Sequence, residues 1–263
     1  MIVKFVARGR LGNAIFRYMA SSIFCIIFNA EYSIDNRNDH TIDMNDRLFL
    51  KIVHNILNNI KIEDICHSDT IIMNNYYQHD LIYKKYKNEI INFIKKNPSH
   101  YVVTDGILAG DCRYQTFYMK DIINTPIIFA KKFKNVLHIR LEDFVTYNLY
   151  LDKDRIINLL KRDIINEELC IVCKQPNTDF EFDYIKYITD YLISKNINYN
   201  LQHNDVLTDY YIMKESELLI CSKSTLSWCA AFFSNNIKKC YLPDYEITPN
   251  STCKFPIDNT ELY

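Results

Sequence analysis

From residue 136 onward the hydrophobic and polar positions fall into a regular alternation. Short apolar runs at 136–140, 169–173, 197–201, 218–221 and 238–242 have the length and composition of buried strands. Between them lie segments of helical spacing at 152–166, 179–194, around 208–214 and 226–234. In the second of these, Phe182, Ile185, Ile188 and Leu192 fall on the face expected to point inward, and Asp152 is placed to cap the first. Strands that alternate with helices at this spacing mean βα units and a parallel sheet.

The first half is less regular. Residues 2–7 read as a strand, 8–13 as a tight turn, and 14 to about 28 as a helix. Ile15, Phe16, Met19, Ile23, Phe24 and Ile27 share one broad face of that helix. Gly12 permits close backbone approach or positive φ, and the helix amides near Asn13 would face open solvent or a ligand. Helices are expected at 46–60 and 81–96, and strands at 70–73, 101–104 and 129–131. No internal repeat is evident. The chain therefore divides near residue 130 into two Rossmann-like α/β halves, 1–130 and 131–263, with a cleft between them.

Composition narrows the function. The 263 residues are 48% hydrophobic and 24% charged, with a net charge of −1. That is the balance of a globular domain and does not suggest a nucleic-acid-binding surface. The nine cysteines are scattered. Cys170 and Cys173 sit in an apolar run and read as core thiols of a reducing compartment rather than metal ligands. The first residues form a strand without a charged leader, and the apolar run around Ile23 to Phe28 is far too short to span a bilayer. A soluble, cytoplasmic protein is expected.

Three polar pieces fall at strand carboxyl ends, where open α/β sheets bind ligands. They are the turn at 9–13, the segment from His138 to Asp143, and the segment from Cys221 to Trp228. Arg140 offers a planar fork that suits phosphate and stays charged at any pH; alternatively it pairs with Glu142 or Asp143 and staples a loop. Ser222, Ser224 and Thr225 combine hydroxyls with helix N-terminal amides, a cradle for phosphate, or they form an ordinary cap with Thr225 ahead of Leu226. Trp228 is expected to pack rather than stack on a base. No G-x-x-x-x-G-K-[ST] is present, so a P-loop is excluded.

Four blocks in order resemble the α-1,2-fucosyltransferases (glycosyltransferase family 11) and, more distantly, the wider fucosyltransferase superfamily. Gly9 to Tyr18 reads G-R-L-G-N-A-I-F-R-Y, similar to the family's G-G/R-L-G-N-x-x-F-x-Y. Asn75 to Gln78 matches a G-Y-F-Q segment. His138 to Asp143 matches H-x-R-R-G-D. Asp209 to Met213 and Ser222 to Cys229 match D-x-x-L-M and S-N-S-T-F-S-W-W.

The resemblance implies a GT-B-like architecture and inverting transfer of fucose from GDP-fucose to a hydroxyl of a glycan acceptor. It implies no cofactor beyond that donor substrate, and no metal. Arg140 would hold the β-phosphate and Asn13 would assist it. Gly12, His138, Asp143, Asp209, Ser222, Ser224 and Thr225 would bind the donor, with an acidic side chain suited to the guanine N1 and N2 donors. Tyr77 and Gln78 would lie on the acceptor side. Glu142, Asp143, His79 and Asp39 are candidate bases by position. The chain departs from the family at Leu141-Glu142, where Arg-Gly is usual, at Ala14 for Gln, and at Cys229 for the second Trp. Those departures keep two other readings open: another nucleotide-sugar donor, and a non-catalytic nucleotide- or glycan-binding protein on the same scaffold.

Overall fold

The computed structural model describes residues 1–6, 9–35, 44, 46–60, 70–73, 75, 77–104, 115–126, 132–165, 167–244 and 255–263. The protein is α/β. One compact unit runs from Met1 to Asn124, and a second takes the described residues from Thr125 on.

In the first unit β1 (Ile2–Val6) is the centre of a parallel three-stranded sheet, flanked by β2 (Glu31–Asp35) and β3 (Thr70–Met73). Helix α1 (Leu11–Phe28) carries the chain from β1 to β2. It packs on that sheet and also against β4 (Tyr101–Thr104) and α4 (Lys87–Lys96). Every residue of α1 from Ala14 to Cys25 is buried, so the single apolar face expected for it is corrected. A helix that is apolar all round belongs inside a core. By length and composition alone it could cross a membrane, yet most of it is buried inside the protein. Its hydroxyls stay satisfied locally: Ser21 and Ser22 donate to the carbonyls of Arg17 and Met19, both at 2.8 Å.

The remaining elements of this unit are α2 (Asp46–Leu57), α3 (Asp80–Lys85), β5 (Gln115–Tyr118), which pairs antiparallel with β4, and α5 (Met119–Ile123). The expected helix at 81–96 is broken at Tyr86 into α3 and α4. The strand expected at 129–131 lies outside the described residues.

In the second unit six strands run parallel in the order β11-β10-β9-β6-β7-β8. They are β6 (Asn135–His138), β7 (Glu168–Val172), β8 (Asn198–Gln202), β9 (Leu218–Ile220), β10 (Lys239–Leu242) and β11 (Thr260–Leu262). Helices α7 (Lys153–Leu160) and α8 (Asp179–Ser194) bury Ile156, Leu160, Ile185 and Ile188 against Leu137, Ile171, Ile220 and Tyr241 on one sheet face. Helices α9 (Val206–Lys214) and α10 (Thr225–Phe233) pack on each other, and α9 lies over β6 and β7. Because strand side chains alternate, Val136, Cys170 and Leu219 face away from the α7–α8 layer and are still fully buried. Cover on both faces is what makes these strands read as continuous apolar runs.

Each of these helices has a side-chain cap, from Asp152, Thr178, Asp205 and Ser224 respectively. Two expectations are corrected. Phe182 is 52% exposed, and Tyr184 takes the inward position beside Ile185. Thr225 is not the cap of α10; Ser224 accepts from the Leu226 amide at 3.2 Å. Cys170 and Cys173 are buried thiols. Strand alternation sends them to opposite faces, and burial pushes the Cys173 thiol up to about 12.

Candidate functional site

The strand order of the second unit fixes where a ligand can enter. The chain leaves β6 toward β7 and β8, then returns to the other side of β6 to lay down β9, β10 and β11. Helices leaving neighbouring strands on opposite faces open a crevice at that reversal, beyond the carboxyl ends of β6 and β9. His138 is the last residue of β6, and Ser222 lies two residues past β9. The His138 Nδ1 and the Ser222 Oγ are 2.8 Å apart, and both side chains are buried. The sequence-selected pair thus spans the switch point. Burial, with Arg140 beside it, pushes His138 down to about 3. It is a neutral hydrogen-bonding group at physiological pH.

The turn from β9 into α10 is held by its own hydroxyls. Ser224 caps the helix, and Ser227 donates back to the Ser224 carbonyl at 3.0 Å. Thr225 is the first helical residue. Trp228 packs, as expected: its ring stacks on Phe232 at 5.2 Å and is buried.

Just past β6 the backbone makes a tight loop into α6 (Asp143–Thr146). Arg140 reaches Asp143 at 3.0 Å and lies over the Phe144 ring at 4.8 Å. The structure therefore brings Arg140 and Asp143 together, the pairing that the sequence left open. Glu142 has φ 42° and ψ −122°, a backbone region natural only to glycine. A side chain held there costs about 1–3 kcal/mol. The resemblance puts glycine at this position.

Glu181, which sequence reasoning did not select, supports that loop. Its Oε1 accepts from the Glu142 amide at 3.1 Å, and its Oε2 accepts from the Asn177 amide at 2.8 Å. The legible signal was Thr178-x-x-Glu181, a capping box at the start of α8; Thr178 Oγ1 accepts from the Glu181 amide at 3.3 Å. What the sequence did not show is that the carboxylate reaches across to the β6 loop.

Asp209 stands in the first turn of α9 and accepts from Asn204 at 3.1 Å. Burial pushes its carboxyl up to about 7 against that hydrogen bond, with help from the charges of Asp205 and Glu142. A carboxyl poised there is half-ionised near neutral pH.

The remaining candidates belong to the first unit. Gly12 and Asn13 are not in a turn: α1 starts at Leu11, so both lie in its first turn, and Gly12 is buried. The left-handed residue is Gly9, with φ 75°. The reason is packing, since Leu11 continues the apolar surface of Ala14, Ile15 and Tyr18 and is itself buried. Tyr77 is withdrawn as an acceptor contact. Its ring is buried 4.7 Å from that of Phe49, and its hydroxyl donates to the Met44 carbonyl at 2.7 Å. Gln78 is half-buried beside it. Burial lowers the pKa of His79, and Asp39 lies outside the described residues.

Arg17, also unselected, is the fully buried cation of α1. It donates to the Val6 carbonyl and, at 3.1 Å, to the Asn75 carbonyl, and so ties the carboxyl ends of β1 and β3 together. Among the described residues no group of three or more His, Cys, Asp or Glu side chains could hold a metal ion.

No family model matches the chain, and no curated protein matches it. Among solved structures it aligns with a mutant of Arabidopsis thaliana FUT1 in complex with GDP. The identity is 9%, over 88% of this chain and 67% of that one, with a TM-score of 0.43. A likeness of that degree decides neither the family nor the activity of this protein.

Proposed function

We propose that the protein is a glycosyltransferase of GT-B-like architecture that binds the diphosphate of a GDP-sugar beyond the ends of β6 and β9. Fucose is the sugar that the sequence motifs favour, and a glycan hydroxyl the acceptor. The observation that carries this reading is the switch point itself: a 3-2-1-4-5-6 parallel order with His138 bonded to Ser222 across it and Arg140 immediately beyond.

The assigned roles follow from chemistry. Arg140 exchanges part of its contact with Asp143 for the β-phosphate and stabilises the negative charge that grows as the sugar–phosphate bond breaks. The first-turn amides of α10, with Ser224 and Thr225, add donors to the same anion. Asp209 accepts from the guanine N1 and N2 donors when ionised. The acceptor oxygen attacks the anomeric carbon from the side opposite the departing GDP, and its proton passes to a carboxylate, for which Asp143 is the candidate in this unit. No resident metal or cofactor is needed in this scheme, because Arg140 and the helix amides carry the charge of the leaving group.

A specific observation favours a second reading. Arg140 already has a carboxylate partner and an aromatic shelf, so it could serve the loop alone. Calorimetric titration with GDP, GDP-fucose, GDP-mannose and UDP-sugars, without added metal, separates the two. The donor reading expects binding of GDP and GDP-fucose that weakens about 10- to 100-fold in Arg140→Ala, the loss of charged hydrogen bonds to phosphate. Unchanged affinity in that variant contradicts the role of Arg140. Binding of uridine nucleotides alone overturns the choice of donor.

A further inference from the structure

Glu181 does more than cap its own helix. Its carboxylate joins two loops that leave adjacent strands: the β6 loop through the Glu142 amide and the β7 loop through the Asn177 amide. It is itself 6% exposed. The amide it holds in the β6 loop belongs to the residue with the glycine-like backbone, φ 42° and ψ −122°. A glutamate left to itself would leave that region, and an outlier persists only where its surroundings over-determine it.

Other bonds share the loop: the Phe144 amide donates to the Leu141 carbonyl at 2.7 Å, closing a β-turn across Glu142 and Asp143, and the Val145 amide donates to the Glu142 carbonyl at 3.1 Å. The Glu181 bond is the one that reaches the Glu142 amide from another helix. Arg140 and Asp143, on either side of the strained residue, form their ion pair only if the loop doubles back there.

We propose that Glu181 is a positioning residue: its buried carboxylate holds Glu142 in a glycine-like conformation and thereby aims Arg140, with Asp143 as its counter-ion, at the bound diphosphate. This rests on the donor-site reading given above. It deepens that reading by assigning the geometry of Arg140 to a side chain on another helix, which touches neither donor nor acceptor. A carboxylate is required for this. It accepts at both oxygens, whereas a glutamine offers one acceptor oxygen and one amide NH2 donor, so one of the two backbone amides would face another donor.

The test is a double-mutant cycle on Glu181→Gln and Glu142→Gly, read both as thermal midpoint without ligand and as affinity for GDP. Glycine adopts the required backbone without strain, so Glu142→Gly should raise the midpoint and leave GDP affinity within about threefold of wild type. Glu181→Gln should lower the midpoint and weaken GDP binding about tenfold or more. In the double variant both losses should shrink, with affinity restored to within about threefold. That rescue is what a merely structural cap at α8 would not give. A lowered midpoint in Glu142→Gly, or additive losses in the double variant, would overturn the proposal. If wild-type protein binds no GDP, the donor reading fails, and the ligand-free midpoints still decide whether Glu181 holds the strained loop.

Discussion

The turn from β1 into α1 and the turn from β9 into α10 carry two of the most distinctive polar segments in the chain, and they fold to different ends. In the first, Leu11 is drawn into the core, the helix starts early, and Arg10 at its cap position makes no side-chain cap bond. The cation of that helix, Arg17, is buried and donates to strand carbonyls. In the second, the helix is capped by Ser224, while Ser222 reaches across to His138 on the neighbouring strand. The polar atoms of the first turn region close the unit's own structure. Those of the second converge on the place where a parallel sheet leaves a crevice. Neither motif content nor strand order distinguishes them, since β1 is also flanked by a strand on each side; the partners of their polar atoms do.

The largest expected effect sets stability against binding. Arg17→Leu leaves the Val6 and Asn75 carbonyls without their donor in a buried site. At about 1–3 kcal/mol per orphaned group, the first unit should lose about 2–6 kcal/mol, measured by urea unfolding. Arg140→Lys should cost less than about 1 kcal/mol in the same measurement, because its partner Asp143 is partly solvated. Equal losses in the two variants would erase the distinction between a structural and a ligand-directed arginine.

A smaller effect concerns pH. The folded carboxyl of Asp209 is raised to about 7, above the ordinary aspartate value near 3.9. Between those two values the folded state holds the proton more tightly than the unfolded chain, so this group's contribution to stability falls as pH rises through that window. Guanine donors require the ionised form. Affinity for GDP should therefore increase about tenfold from pH 6 to pH 8, following the ionised fraction of a group with pKa near 7. In Asp209→Asn that dependence should flatten. A wild-type profile in the variant would remove Asp209 from the nucleotide site.

Much of the second unit was legible before any coordinates. Its strands are covered on both faces, so the apolar runs around Val136, Leu169 and Leu218 announce themselves. Asp152 could be read as a cap from its place before a periodic segment, and α8 spans the residues expected of it. Elements fixed by pairing rather than by local pattern were missed. β2 and β5 carry polar, partly exposed residues, and β11 joins the sheet edge by pairing with β10. At the candidate site, His138, Ser222, Arg140 and Asp143 could be singled out because strand-end polar residues stand out against apolar runs. Glu181 was not, because its partners lie at positions 142 and 177, joined only through the fold. Tyr77 was misread because a segment-level match cannot tell a ring that faces a ligand from one turned into the core with its hydroxyl already bonded.

The most direct measurement is a crystal structure of the protein with GDP. The account predicts the β-phosphate beyond β6 and β9, within hydrogen-bonding distance of the Arg140 guanidinium and the first-turn amides of α10. Nucleotide bound at the start of α1, with no phosphate near Arg140, would contradict it.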